Sequence, residues 1–201
     1  MNKIEYFKKE LEYIKSEDIL ESAKYMINIL PDYFFEIPAS STGKYHPKFA
    51  ASTGGLVKHT KVAVRIAHEL LSDPALNKFT AREKDLIIMG LILHDGLKSG
   101  LNHSKYTLVE HPLLIANYIK ENKDNLKLSE EELEKLCNAI SSHMGPWNTD
   151  FNGNEVLPVP KTAIERFVHM CDYLSSKKFL DVEFEGIDIK YLLNGLIKFG
   201  K

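Results

Sequence analysis

Six residues of this chain have the side chains and the spacing to hold a metal ion: His59, His94, Asp95, His111, His143 and Asp172. Imidazole nitrogens and carboxylate oxygens are the donors that suit Mn, Fe, Ni, Co or Zn. Residues at i, i+3, i+4 and i+7 of a helix share a face, and each of the six falls on an apolar one. His59 shares its face with Val62, Ala63 and Ile66. His94 and Asp95 close the apolar run IIMGLILHD. His111 opens a segment whose stripe is Leu114, Ile115 and Tyr118, and His143 continues the stripe Leu133, Leu136, Ile140. Asp172 continues Ile164 and Val168, beside Cys171. His68, nine positions after His59, falls on the opposite side of its helix and is expected at the surface.

Each of these residues alone has an ordinary structural reading. A histidine on an apolar face is usually hydrogen-bonded in the core, and a buried aspartate can be satisfied by backbone N–H groups. That reading has to be invoked for five segments, one of them carrying an adjacent His-Asp pair. Unpaired burial of so many titratable groups costs several kcal/mol, comparable with a domain's whole stability of about 5–15 kcal/mol. A shared cation removes the cost, and we prefer it.

The elements that must position these residues read as helices. Residues 2–30 carry helical periodicity through Ile4, Phe7, Leu11 and Ile14 and then Ile19, Ala23, Met26, Ile27 and Leu30, ended by Pro31. Residues 31–55 are irregular but too aromatic for a linker, and are expected to pack across the domain and line a site. Helices are predicted over 56–71, from Thr80 to near His94, from Pro112 to about 121, over 130–143 and over 162–177. Capping boxes open three of them: Thr80 with Glu83, Ser129 with Glu132, and Thr162 with Glu165. Residues 180–190 alternate weakly and suit a short hairpin; 190–198 suits a last short helix. The fold class is therefore all-α, a single-domain helical bundle with a short C-terminal β-hairpin. Residues 1–34 form an N-terminal helical segment, 35–178 the metal-binding domain and 179–201 a C-terminal extension.

Composition narrows the function classes. A net charge of -2 and a pI of about 6.5 give no global field for duplex nucleic acid. No apolar run of membrane-spanning length occurs, and the N-terminus MNKIEYFKKELEYIK has no signal-peptide core. Cys137 and Cys171 lie within apolar helical patterns and read as reduced, buried thiols. A cytoplasmic protein is expected; its oligomeric state stays open.

The order His59, His94-Asp95, Asp172, set in GGLVKHT, LILHDGLKSG and HMCDYL, resembles the HD-domain superfamily of metal-dependent phosphohydrolases. EHPLLIANYI around His111 and ISSHMG around His143 make it similar to the branch with two extra histidines, which includes the YhaM-type 3′→5′ exoribonucleases. The resemblance covers roughly residues 35–178. It implies that His59, His94, Asp95 and Asp172 hold a first metal, and that Asp95 bridges to a second held by His111 and His143. Mg joins the candidate ions, and the resemblance implies one or two of them in the site. Lys98 matches the lysine of the family's HDxxK pattern, near the phosphate. Two positions depart from the pattern: HDGLK stands where HDIGK is common, and Met144 replaces a second histidine in SHMG.

The implied chemistry is attack of a metal-activated water on phosphorus, with Asp95 and Lys98 as catalytic side chains and a phosphorylated small molecule or short oligonucleotide as substrate. Lys98 has a plain alternative as a solvated lysine past a helix end. His46 and Tyr45, close before the Gly54-Gly55 turn, are candidates for substrate contact together with Lys98. Trp147 is weighed for stacking on a base or sugar ring and preferred as a loop-packing residue. His103 and Lys105 are weighed for reaching phosphate and preferred as solvated loop residues. His169, one turn before Asp172, is weighed as a support for the ligands and given no role. The competing function is a non-catalytic HD-fold module that keeps a metal for structure or ligand sensing.

Overall fold

A computed structural model describes residues 2–40, 46–180 and 182–190. Tyr45 and, beyond Lys190, the helix expected over 190–198 lie outside the described residues. Among those described, the chain is helical apart from one small hairpin. A 3-10 turn, Lys3–Phe7, runs into α1 (Lys8–Leu11) and is followed by α2 (Glu17–Ile29), α3 (Gly55–Ser72), α4 (Ala81–Leu93), α5 (His111–Glu121), α6 (Glu130–Ser141) and α7 (Ala163–Ser175). The hairpin pairs β1 (Phe184–Glu185) antiparallel with β2 (Asp188–Ile189).

Helix α4 is the axis of the bundle. Every residue from Asp85 to Leu93 is buried, as its uniformly apolar sequence requires. Helices α2, α3, α6 and α7 pack around it, α3 also packs on α7, and α5 packs on α6. The capping boxes at Thr80 and Ser129 form in full. At Thr162 the side chain accepts from the Glu165 N–H, but the return bond goes one residue further out, from the Lys161 N–H to Glu165 Oε2.

The irregular stretch before α3 crosses the bundle, with Tyr33, Phe34 and Phe35 buried. It holds the start of α3 through Gly54 N–H to Glu36 O and Leu56 N–H to Ile37 O. Gly54 takes a left-handed turn at φ 70°, and a Cβ on Gly55 would lie 2.2 Å from Ala50 O. The Gly-Gly pair is thus what lets α3 begin close enough to bring His59 inward. His68 is a correction to expectation. It is half-buried, because Tyr13 of the N-terminal segment stacks on it with ring centres 3.8 Å apart. That segment covers the face of α3 which helical geometry alone leaves open.

Candidate metal centre

The bundle brings all six candidate ligands to one place. His59 comes from α3, His94 and Asp95 from the turn ending α4, His111 from the first residue of α5, His143 from just past α6, and Asp172 from α7. Their donor atoms form three overlapping groups, each within 4.8 Å: His59, His94 and Asp95; His94, His143 and Asp172; Asp95, His111 and His143. The last group is complete, so Met144 in place of a second histidine leaves the second donor set intact.

Asp95 stands between two histidine pairs and turns one oxygen to each. Oδ2 lies 3.7 Å from His59 Nε2 and 3.5 Å from His94 Nε2; Oδ1 lies 3.0 Å from His111 Nε2 and 3.7 Å from His143 Nε2. Asp172 Oδ1 closes the first side at 2.9 Å from His59 Nε2 and 3.3 Å from His94 Nε2. Donors on one ion at about 2.1 Å stand roughly 3.0 to 3.4 Å apart; the separations here, 2.9 to 3.7 Å, lie within a few tenths of an ångström of that range.

Hydrogen bonding fixes which nitrogen of each ring faces inward. Nδ1 of His94, His111 and His143 lies 2.7 Å from the backbone oxygens of Leu91, Leu108 and Ile140. A carbonyl only accepts, so each Nδ1 carries the proton and each Nε2 of a neutral ring presents a lone pair. For His59 the partner is Ser175 Oγ, at 3.0 Å. That hydroxyl already donates to Asp172 O at 2.7 Å, so it accepts from His59. Four imidazoles are therefore held in the tautomer that metal ligands need.

The inward atoms are short of partners. Among the described residues, five buried side-chain polar atoms make no hydrogen bond, and three of them are His59 Nε2, His94 Nε2 and Asp95 Oδ1. They sit near neighbouring donors and acceptors without the alignment of a hydrogen bond. Buried polar groups are satisfied in the great majority of cases, so this concentration marks a place built for a ligand, and the donor set fits a divalent metal.

Charge agrees with geometry. Burial alone would raise Asp95, but Lys98, then His94 and His111, outweigh it and hold the carboxyl well below the usual carboxylate range. For Asp172 the contacts with His59 and His94 likewise outweigh burial. Burial, aided by the charge of His94, pushes His143 down to about 3. His94 itself is raised, because the two carboxylates outweigh its burial. Both carboxylates are thus ionised at neutral pH and draw a positive charge inward.

The remaining candidates divide. Lys98 is no solvated lysine: its side chain is 11% exposed and its ammonium pairs with Asp95 Oδ2. Together with Asp172, at 17%, it reaches solvent, while the other five side chains are at 2% or less. These two therefore frame the mouth. His46 sets its ring against His59, centres 4.8 Å apart, with Nδ1 buried and unpaired; burial pushes it down to about 3. His103 stacks on Tyr33 at 4.5 Å and holds a left-handed φ of 52°, and Lys105 lies over Tyr106. Sequence reasoning gave His169 no role, yet its Nδ1 donates to His143 O at 2.6 Å, and it missed Ser175. Neither contact leaves a periodic signal.

Compared with family models, residues 56–177 match the HD domain. The chain belongs to this family, which is typical of metal-dependent phosphohydrolases and binds divalent metals. No curated protein and no solved structure matches the chain. Among the described residues, no helix is long and apolar enough to cross a membrane.

Proposed function

We propose that the chain is a metal-dependent phosphohydrolase that cleaves a phosphoester of a nucleotide or short oligonucleotide, with Asp95 and Lys98 as its catalytic side chains. The observation that carries this reading is the position of Asp95, one oxygen toward His59 and His94 and the other toward His111 and His143. A carboxylate so placed suits one or two divalent ions of Mn, Fe, Ni, Co or Zn, with Mg as the hard-cation alternative. When bound, the metal supplies a water acidic enough to attack near neutral pH and draws charge from the phosphate oxygens.

The protein's own groups do the rest. The four imidazoles offer lone pairs whose direction is fixed before any ligand arrives, so little reorganisation is needed. Asp95 and Asp172 supply the negative charge. Lys98, held at the mouth by Asp95, is placed to transfer its hydrogen bonds to an entering phosphate, a charge-assisted contact. His46 walls the His59 side, and we assign it and its neighbour Tyr45 to substrate contact. The net charge of -2 favours a small anion over a long duplex; this and the YhaM-like pattern support a nucleotide or short strand. We further assign catalysis to residues 35–178, with 1–34 packed on them and 179–201 as an extension, and place the protein in the cytoplasm on its two buried free thiols.

Metal content after purification without chelator, and hydrolysis of bis(p-nitrophenyl) phosphate with Mn, Ni, Co, Mg and Zn in turn, test the reading. Turnover with at least one metal is expected, falling at least ~100-fold in Asp95→Ala. No turnover with any of them, or undiminished turnover in Asp95→Ala, overturns it; bound metal without turnover points to a binding module instead.

A further inference from the structure

Next along the chain from two of the candidate ligands, His143 and Asp172, lies an aromatic cluster that the chemistry above does not use. From His143 the chain passes through Met144, Gly145 and Pro146 to Trp147. The turn is closed by Gly145 N–H to Ser142 O and Trp147 N–H to Met144 O, at 3.0 and 3.2 Å. It wraps tightly on His169: Gly145 has φ 60°, and a Cβ there would lie 2.3 Å from the His169 ring. On the other side Asn148 is buried, and its carbonyl accepts from the Val156 and Leu157 N–H groups. The backbone of Trp147 is thus pinned from both directions, yet the residue is 53% exposed.

That ring stacks on Tyr173, centres 5.5 Å apart and planes 15° from parallel. Tyr173 follows Asp172 directly on α7. One turn on, Lys177 Nζ lies 3.4 Å from the Tyr173 ring centre and 5.8 Å from that of Trp147. A single exposed apolar residue needs no explanation. A fixed, near-parallel ring pair with a cation on it is a different object, a surface that can take a third planar ring with little loss of entropy. Its location selects the ring. Tyr173 directly follows Asp172 and Trp147 lies four residues past His143, so the same two segments carry both the cluster and two of the candidate metal ligands; His169, whose Nδ1 donates to His143 O, stands with its ring centre 6.2 Å from Trp147 and 6.0 Å from Tyr173. Lys177, like Lys98, adds positive charge suited to an anion.

We propose that Trp147 and Tyr173, with Lys177, form a subsite for the nucleobase of the substrate, the phosphate of which meets the centre. The subsite rests on the phosphohydrolase reading for its substrate but can be tested apart from it, since Trp147 is the chain's single tryptophan and reports on its own surface. Adenosine 5′-monophosphate added to the metal-loaded full chain should quench its emission saturably; ribose 5-phosphate, which lacks the ring, should not. By calorimetry, Tyr173→Ala should weaken binding of the nucleotide roughly 5- to 150-fold, the loss expected for one base–aromatic stack, and leave ribose 5-phosphate unchanged. Trp147→Phe should keep most of the affinity that Trp147→Ala loses. Equal binding of the two ligands by the wild type, or unchanged nucleotide affinity in both alanine variants with their fold verified by circular dichroism, overturns the subsite and leaves the phosphohydrolase reading to its own metal-dependent turnover. Saturable quenching that disappears in Tyr173→Ala, in a protein that hydrolyses no phosphoester with any metal, upholds the subsite and overturns the phosphohydrolase reading.

Discussion

Two aspartates ten residues apart, one near each end of α4, are almost equally buried, Asp85 at 3% and Asp95 at 2%. Around Asp85 the donors are in place: Oδ1 accepts from the Lys15 N–H, and Oδ2 from the Ser16 N–H and hydroxyl. These bonds fasten the start of α2 to α4. Around Asp95, Oδ1 has no hydrogen bond, and neither has Nε2 of the neighbouring His59 or His94. Residue type and burial are the same, so neither separates a structural carboxylate from a ligand. Saturation does. A buried polar group whose partners are complete holds the fold together; a cluster whose partners are incomplete is held by the fold for something else.

The largest expected effect tests the second half of that contrast. A ligand that binds only the folded protein stabilises it by about 4 kcal/mol at a thousandfold excess over Kd. The chelator-stripped chain should therefore melt well below the metal-loaded one. Asp95→Asn should abolish this gain; because it also neutralises the buried partner of the Lys98 ammonium, the stripped variant should itself melt below the stripped wild type, and the metal effect is read as the difference within each protein. Calorimetric melts of both proteins with and without metal check this; equal metal stabilisation of the variant would remove Asp95 from the ligand set. Asp85→Ala should behave in the opposite way. It strands donors at the start of α2 and should cost about 2–3 kcal/mol in urea unfolding, with the metal affinity of the folded protein unchanged. A large loss of metal affinity there would erase the distinction between the two ends of α4.

Much of this contrast was legible in the sequence at one end and little at the other. His59, His94, Asp95, His111, His143 and Asp172 could be picked out because helical periodicity reports which face a residue occupies. The capping boxes at Thr80 and Ser129 were equally readable, being local. What periodicity cannot report is the partner of a side chain from elsewhere in the chain. Asp85 carried no signal, because its donors come from Lys15 and Ser16 across the bundle. His68 was misplaced for the same reason, Tyr13 covering it from the N-terminal segment. Lys98 was ambiguous, since a turn past a helix end can aim its third residue inward or outward, and only the ion pair with Asp95 decides. Ser175 and His169 act through a ring nitrogen and a backbone carbonyl respectively, contacts set by how α7 sits against α3 and α6.

Ser175 sharpens the comparison, because it is a saturated group that serves the unsaturated cluster. Its hydroxyl accepts from His59 Nδ1 and donates to Asp172 O. Ser175→Ala leaves His59 free to change tautomer, and metal affinity should fall about 10- to 100-fold, the usual consequence of removing a bond that orients a ligating histidine. The stripped protein should lose only about 1 kcal/mol. Titration with a metallochromic indicator separates the two; a loss of stability without loss of affinity would make Ser175 a packing residue.

The smallest effect concerns a saturated cluster on the outer side of α3, two residues from His59. Lys61 is fully buried, and its ammonium meets Tyr6 O, Glu10 Oε2 and Asp188 Oδ1, tying the N-terminal segment and the hairpin to α3. Burial nonetheless raises Glu10 above its ordinary value, outweighing the charge of Lys61. An acid raised on folding binds its proton more tightly in the folded state. Below the unfolded value Glu10 is protonated in both states and costs nothing. As pH rises from there through the folded value, the folded protein keeps a proton the unfolded chain has lost, and its stability falls. Glu10→Gln cannot titrate, and Lys61 keeps Tyr6 O and Asp188, so the variant should gain on wild type across that interval. Urea midpoints of both proteins over roughly pH 4 to 8 give the sign. A gap that moves in favour of wild type as pH rises would mean that the Lys61 charge outweighs burial, and that saturation here stabilises the ionised pair rather than merely tolerating it.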